Sequence, residues 1–118
     1  MHELAVTQGI LDIALKEAEK VGNRRVINIK IKIGALTGMV PQCIQEYYNM
    51  ISEDTVAANA LLIFDKVPAV LHCDDCGKDS TISHYRLRCP VCNCNNVKLI
   101  AGREFYIESM EVEDEDGD

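Results

Sequence analysis

Two Cys-x-x-Cys motifs, formed by Cys73 with Cys76 and by Cys89 with Cys92, constrain the fold more than any other feature of this chain. The surrounding stretch 72–98 has few large apolar residues and many turn-forming residues, so it cannot bury a core of its own. Two such turns can place four thiolates around one ion at metal–sulfur distances of about 2.3 Å. The spacing therefore predicts a lobe held together by a structural Zn(II) ion bound to these four cysteines.

Other roles are open to the cysteines. The segment Cys89-Pro-Val-Cys92 is similar to a thioredoxin-type redox pair, but it lacks the strand-to-helix context of that motif and has a second motif nearby. A rubredoxin-like iron site would use the same four sulfurs. Cys94 stands two residues beyond Cys92 and is either a competing ligand or a spare thiol. Cys43 is expected to pack or cap at the start of a helix.

Two amphipathic helices are predicted outside the cysteine-rich stretch. The first spans 4–21 and is expected to end at Gly22 and Asn23, which favour a left-handed cap. Its apolar side chains at helical spacing are Leu4, Leu11, Ala14, Leu15, Ala18 and Val21. The second helix begins at Pro41, which suits a first helical turn. Its predicted apolar stripe consists of Ile44, Tyr47, Tyr48 and Ile51.

Three segments have the pattern of β-strands: 26–33, 60–67 and 103–112. The strict alternation of the first predicts one shared face for Ile27, Ile29, Ile31 and Ile33. The last strand needs a sheet, and the nearest one predicted lies before residue 70. The predicted fold class is therefore α/β (α+β), a small mixed sheet with two helices that carries an inserted zinc-knuckle, or zinc-ribbon-like, lobe.

Domain boundaries follow from this arrangement. Residues 1–70 with 100–112 form the predicted α/β domain, and 71–99 form the predicted zinc-binding domain. The remaining 113–118 is a strongly acidic tail that we expect to be solvated and disordered. The segment 111–118 holds six of the 19 acidic residues, so most of the net charge of −7 arises there.

The rest of the chain is nearly neutral, which argues against a basic nucleic-acid-binding face. The apolar runs are shorter than the roughly 20 residues that span a bilayer, and the N-terminus lacks the pattern of a secretory signal. We therefore expect no nucleic-acid partner, no membrane span and a cytoplasmic location, where six cysteines are more typical of metal ligands than of disulfides.

The first three residues, Met1-His2-Glu3, offer a second set of metal ligands. The terminal amine, the His2 amide and the His2 imidazole can bind one ion in fused rings, with a fourth nitrogen from the Glu3 amide. Ni(II) and Cu(II) favour such nitrogen-rich sets. The amine must lose its proton, whose ordinary pKa is about 7.7–8.0, so binding releases protons. An ordinary surface histidine is the alternative, and Glu3 adds either a carboxylate ligand or only a nearby negative charge.

Two further histidines lie near the cysteines in sequence. His72 precedes the first motif and His84 lies between the two motifs. Each is either a supporting group of the metal centre or a plain surface residue. His84 is the better candidate for an accessory metal ligand.

Together these features resemble the HypA family, including HybF, of nickel metallochaperones for nickel–iron hydrogenase maturation. The resemblance rests on Met1-His2-Glu3 followed at once by an amphipathic helix, on the Ile-Lys-Ile-Gly strand ending at Gly34, and on the paired cysteine motifs in this order. It also includes the last strand at 104–112 and so covers nearly the whole chain. The acidic tail is not part of the pattern.

The resemblance implies a metal chaperone rather than an enzyme. Ni(II) would be transient cargo bound by Met1, His2 and Glu3, and Zn(II) would be structural. The implied partners are a HypB-type GTPase and the hydrogenase large-subunit precursor, with urease maturation proteins in some members. In some relatives a histidine of the zinc lobe completes the nickel sphere, a role that His84 could fill. The alternative function is a zinc-ribbon scaffold or adaptor without nickel carriage; monomer and homodimer are both open.

Overall fold

The computed structural model describes residues 3–83 and 86–114, which contain two α-helices and six β-strands. The elements are α1 (Glu3–Lys20), β1 (Val26–Gly34), α2 (Pro41–Ile51), β2 (Leu61–Val67), β3 (Ala69–Cys73), β4 (Asp79–Ile82), β5 (Val97–Ala101) and β6 (Phe105–Val112). One three-stranded sheet has the order β2-β1-β6, and a second has the order β4-β3-β5. The second sheet is inserted in sequence between β2 and β6. The predicted mixed fold with an inserted lobe is confirmed.

The three strands of the inserted sheet were not predicted from the sequence. β3 pairs antiparallel with β4 and with β5, and the register places His72 opposite Asp79 on one side and Lys98 on the other. These strands are only four or five residues long and carry polar residues, so their pattern alone does not distinguish them from turns.

The described residues form two compact units. The first comprises 3–31, 39–64 and 107–114, and the second comprises 32–38, 65–83 and 86–106. The second unit is wider than the predicted zinc-binding domain because the loop after β1 bonds to its backbone. Ala35 N–H donates to the Val67 carbonyl at 2.9 Å, and Leu36 N–H donates to the Gly102 carbonyl at 2.8 Å. The assignment of one metal to each predicted domain stays a prediction.

Helix α1 buries one face, formed by Thr7, Ile10, Leu11, Ala14 and Ala18, and it packs against α2. The prediction does not hold at the two ends of the apolar stripe, because Leu4 and Val21 are about half exposed. As predicted, the helix stops at Gly22 and Asn23. Both have positive φ, and Asn23 N–H donates to the Ala18 carbonyl at 2.8 Å. In the part of the chain that the structure describes, neither helix is long and apolar enough to cross a bilayer.

Strand β1 supplies buried side chains at Ile29, Ile31 and Ile33, as its alternation predicts. The prediction for Ile27 is wrong, because this side chain is 42% exposed. The alternation is interrupted at the start of the strand, where Val26 is buried and its N–H donates to the Val56 carbonyl at 2.9 Å. Ile27 and Asn28, which are not buried, therefore separate the buried residues Val26 and Ile29.

Helix α2 begins at Pro41 and buries Ile44 and Tyr48. The Tyr48 hydroxyl donates to the Ala57 carbonyl at 2.6 Å, so the buried ring has a polar partner. Burial raises the pKa of Tyr48 to about 12. The segment that follows α2 is thereby tied to the core of the first unit.

Candidate metal centre

The first cysteine motif forms a tight turn at the end of β3. The Gly77 N–H donates to the Cys73 carbonyl at 2.8 Å, and the Cys73 N–H donates to the Lys78 carbonyl at 3.0 Å. Gly77 has a φ of +74°, a left-handed conformation that glycine adopts without steric cost. The Cys76 N–H points at the Cys73 Sγ, at 3.4 Å. The turn therefore brings both sulfurs to one side and supplies a backbone donor to one of them.

The second motif repeats this turn between β4 and β5. The Asn93 N–H donates to the Cys89 carbonyl and the Cys89 N–H donates to the Cys94 carbonyl, both at 2.9 Å. Asn93 takes the place of Gly77, with a φ of +64°. The Cys92 N–H lies 3.5 Å from the Cys89 Sγ. The two turns are thus equivalent in backbone hydrogen bonding, and Cys94 holds the position that Lys78 has in the first.

The sulfurs of Cys73, Cys76, Cys89 and Cys92 all lie within 4.8 Å of one another. The Cys73 and Cys92 sulfurs are 3.5 Å apart, and the Cys76 and Cys89 sulfurs are 3.8 Å apart. A tetrahedron with metal–sulfur distances of about 2.3 Å has edges of about 3.8 Å. Two of the cysteines, Cys73 and Cys89, are buried. The geometry of the cluster fits one tetrahedral thiophilic ion.

The four thiols differ in acidity. The N–H donated by Cys76 lowers the pKa of Cys73 to about 6, and the N–H of Cys92 lowers the pKa of Cys89. The N–H of Lys78 acts in the same direction on Cys76, but burial and the neighbouring sulfurs raise its pKa to about 11. Cys92 likewise accepts the Cys94 N–H, while the Cys94 and Cys73 side chains raise its pKa to about 11. Cys73 in the first turn and Cys89 in the second therefore lose their protons more easily than Cys76 and Cys92. A bound dication would offset the repulsion between neighbouring thiolates, which keeps the protons on Cys76 and Cys92.

A fifth sulfur lies beside the cluster. The Cys94 Sγ is 3.2 Å from the Cys73 Sγ and 3.3 Å from the Cys92 Sγ, although Cys94 does not belong to the set within 4.8 Å. In sequence, its position two residues beyond Cys92 is the feature that indicates a competing ligand. Cys43, in contrast, is a half-buried residue of α2 and is not in the cluster.

Of the three histidines, only His72 is among the described residues. Its Nδ1 lies 2.6 Å from an Asp79 carboxylate oxygen, and its Nε2 lies 3.5 Å from Asp74. Lys98 also approaches Asp74, at 3.9 Å. The imidazole thus belongs to a charged network on the surface of the second sheet. His84, the predicted accessory ligand, lies outside the described residues.

The predicted terminal site is described only at Glu3, because Met1 and His2 lie outside the described residues. The Glu3 Oε2 accepts a hydrogen bond from the Val40 N–H at 2.6 Å, just before α2. The Glu3 carbonyl accepts from the Thr7 hydroxyl, also at 2.6 Å. Glu3 is therefore fixed in the first turn of α1 through both its side chain and its backbone.

Known proteins with similar sequences share one description. A family model described as "Hydrogenase/urease nickel incorporation, metallochaperone, hypA" matches residues 1–112. A hydrogenase maturation factor HypA of Caldanaerobacter subterraneus subsp. tengcongensis is 42% identical over 114 residues, covering 96% of this chain and 100% of that protein. A HypA of Dehalococcoides mccartyi is 38% identical over 115 residues, covering 98% of this chain and 97% of that protein.

Solved structures with the same fold carry related titles. A structure titled as the HypA protein superimposes with a TM-score of 0.72, covering 95% of this chain and 96% of that chain. The nickel metallochaperone HypA from Helicobacter pylori superimposes with a TM-score of 0.66, covering 95% and 97%. Both are 22% identical in sequence to this chain, so they establish the fold.

Proposed function

The chain belongs to the HypA family of hydrogenase/urease nickel-incorporation metallochaperones, and we propose that it carries Ni(II) to the large-subunit precursor of a nickel–iron hydrogenase. The resemblance seen in the sequence is thereby confirmed. The observation that carries the proposal is the family match over 1–112, which spans both the Met1-His2-Glu3 terminus and the cysteine cluster. The protein is proposed to bind and transfer a metal rather than to catalyse a reaction.

We propose that nickel binds at the amino terminus. The donors would be the Met1 amine, the amide and imidazole of His2, and the Glu3 amide, a nitrogen-rich set that suits Ni(II). The hydrogen bond between Glu3 and Val40 supports this site, because it fixes the residue to which the terminal donors are attached. One Glu3 oxygen is engaged there, so the carboxylate would act chiefly through its charge. A terminal site can release its donors one at a time without unfolding the protein.

The cysteine cluster is proposed to hold a structural Zn(II). Its ligands would be Cys73, Cys76, Cys89 and Cys92, whose sulfur separations fit a tetrahedral ion. Bound zinc would cross-link the two turns and neutralise their thiolates. Four protein ligands leave no coordination position for a substrate, so this centre is proposed to stabilise the second unit.

The partners and the location belong to the same proposal. Transfer of nickel would involve a HypB-type GTPase and the hydrogenase precursor in the cytoplasm, and the family description also includes urease. His84 is kept as a candidate accessory ligand. Its removal would weaken nickel binding less than removal of His2.

The proposal is tested in a host whose own copy of this gene is deleted and whose hydrogenase depends on nickel insertion. His2→Ala should abolish nickel in the large subunit at low external nickel, while His72→Ala should behave as wild type because its ring lies in a surface charge network. Full maturation with His2→Ala would favour the adaptor function without nickel carriage.

A further inference from the structure

The two cysteine turns together hold five thiols, one more than a four-coordinate ion can bind, and the fifth is Cys94 of the second turn. The Cys94 sulfur lies 3.2 Å from the Cys73 sulfur and 3.3 Å from the Cys92 sulfur. Both distances are shorter than the 3.5 Å between the sulfurs of the proposed ligands Cys73 and Cys92. Cys94 therefore lies against the edge of the four-sulfur cluster that joins Cys73 and Cys92, and its side chain would have to move toward the other sulfurs to replace a ligand.

Burial identifies which ligand can be replaced. Cys73 and Cys89 are buried, and each sulfur accepts N–H groups from its own turn. Cys92 is exposed, whereas Cys94 is only partly exposed. Exchange at Cys92 would therefore keep both buried sulfurs in place.

The backbone of the turn allows this exchange. The left-handed Asn93 separates the two cysteines, and their sulfurs nevertheless lie on the same side of the turn. The hydrogen bonds that close the turn join Cys89 to Cys94 and Asn93 to Cys89 through backbone atoms alone. A change of side-chain ligand can occur without breaking either of them.

We propose that Cys94 is an interchangeable ligand of the cysteine-bound ion, which alternates between Cys92 and Cys94 while Cys73, Cys76 and Cys89 stay bound. The zinc–sulfur bond to Cys92 breaks as the bond to Cys94 forms. The Cys94 proton passes to the released Cys92 sulfur, so the charge and oxidation state of the centre do not change. This inference rests on the proposed zinc site.

A sulfur count by X-ray absorption on stoichiometrically zinc-loaded protein tests the exchange. Cys92→Ser should retain four sulfur ligands, because Cys94 fills the vacant position. Cys76→Ser has no such substitute and should fall to three, with an oxygen or nitrogen in the fourth position. The double variant Cys92→Ser/Cys94→Ser should also fall to three.

The outcomes separate the two proposals. Three sulfurs in Cys92→Ser, with four in wild type, would overturn the exchange and leave the zinc site intact. Fewer than four in wild type, or no stoichiometric zinc, would overturn the zinc site itself. Circular dichroism of each loaded variant establishes that its lobe has folded.

Wild-type protein provides a test without substitutions. Zinc-loaded protein is treated with a limiting amount of N-ethylmaleimide, and the modified cysteines are mapped by mass spectrometry. Exchange predicts zinc-retaining molecules with a single label in the turn, on Cys92 in some and on Cys94 in others. A label on Cys94 alone, with Cys92 fully protected, would identify a spare thiol and contradict the proposal.

Discussion

The carboxylate of Glu3 accepts a hydrogen bond from the backbone N–H of Val40 at 2.6 Å, which joins the first turn of α1 to the start of α2. The side chain of Val40, the N-cap residue of α2, makes no capping hydrogen bond. The carboxylate of Glu3 in α1 therefore accepts a hydrogen bond from an N–H group at the start of α2. The residue next to the proposed nickel donors thus has a structural role in the first unit.

Replacing Glu3 by alanine should lower the free energy of unfolding by about 1 kcal/mol, because an exposed N–H loses a charged acceptor. Glu3→Gln keeps an oxygen acceptor and should lose about half of that. Urea denaturation measures both values. The control is Glu19→Ala in the exposed part of α1, and an equal effect of the two alanine variants would contradict the role of the bond.

Tyr48→Phe should destabilise the protein by about 1–2 kcal/mol, because the buried Ala57 carbonyl loses its shorter hydrogen bond and keeps only the one from the Ala60 N–H at 3.3 Å. Tyr47→Phe, on the half-buried neighbour, is the matched control and should change the free energy by less than about 0.5 kcal/mol. Thermal or urea unfolding distinguishes them. Equal losses in the two variants would show that the hydroxyl bond contributes nothing.

Tyr48 should also affect stability at alkaline pH. Its pKa is raised to about 12 in the folded protein, above the ordinary value of 10.0. The stabilising effect is therefore complete below pH 10 and is lost as the pH rises through 12, since the unfolded chain ionises first. Unfolding measured between pH 9 and 12 should be less pH-dependent in Tyr48→Phe than in wild type. Parallel curves would contradict the raised pKa of Tyr48 in the folded protein.

Gly34→Ala should destabilise the second unit by at least about 2 kcal/mol, because a Cβ there would lie 2.2 Å from the Gly102 carbonyl oxygen. Gly9→Ala is a useful contrast, since its Cβ would meet nothing within 4 Å in the middle of α1. That change should stabilise the protein by about 0.5–1 kcal/mol. Denaturation of the two variants should therefore show changes of opposite sign in the free energy of unfolding. No change in Gly34→Ala would show that the backbone moves to accommodate the Cβ.

Much of the fold could be predicted because its signals are local. The α1 stop at Gly22 and Asn23, the Pro41 start of α2 and the strand alternation at Ile29–Ile33 each depend on residues adjacent in sequence. The exposure of Ile27 could not be predicted, because the burial pattern follows the sequence alternation only from Ile29 onward, and Val26 is buried at the start of the strand instead. The short strands of the second sheet depend on pairing, which leaves a weak pattern in polar segments.

In the candidate site, too, the local features could be predicted from the sequence and the contacts between distant residues could not. The cysteine spacing alone predicted that the four sulfurs would meet, because each turn is set by its own backbone. The contact of Cys94 with Cys73 could not be derived, since it joins the two turns across the cluster. The hydrogen bond between Glu3 and Val40 could not be derived either, because these residues are far apart in sequence. The nickel ligands Met1 and His2 remain predictions.

Binding of zinc to the metal-free cluster should release about two to three protons at pH 8. Cys73, with a pKa of about 6, is already ionised there, whereas Cys76 and Cys92, with pKa values of about 11, must each lose a proton. Calorimetry in buffers of different ionisation enthalpy measures the number. Apparent affinity should weaken further as the pH falls through 6, where Cys73 itself becomes protonated. Release of four protons at pH 8 would contradict the acidity of Cys73.

The most direct test of nickel carriage is a calorimetric titration of zinc-loaded protein with Ni(II), comparing wild type with His2→Ala at pH 7.5 and at pH 6.3. We expect stoichiometric binding by wild type that weakens by about tenfold or more at the lower pH, because the terminal amine must lose its proton. We expect this binding to be absent from His2→Ala. Equal affinity in the two proteins would place nickel elsewhere and contradict the terminal site.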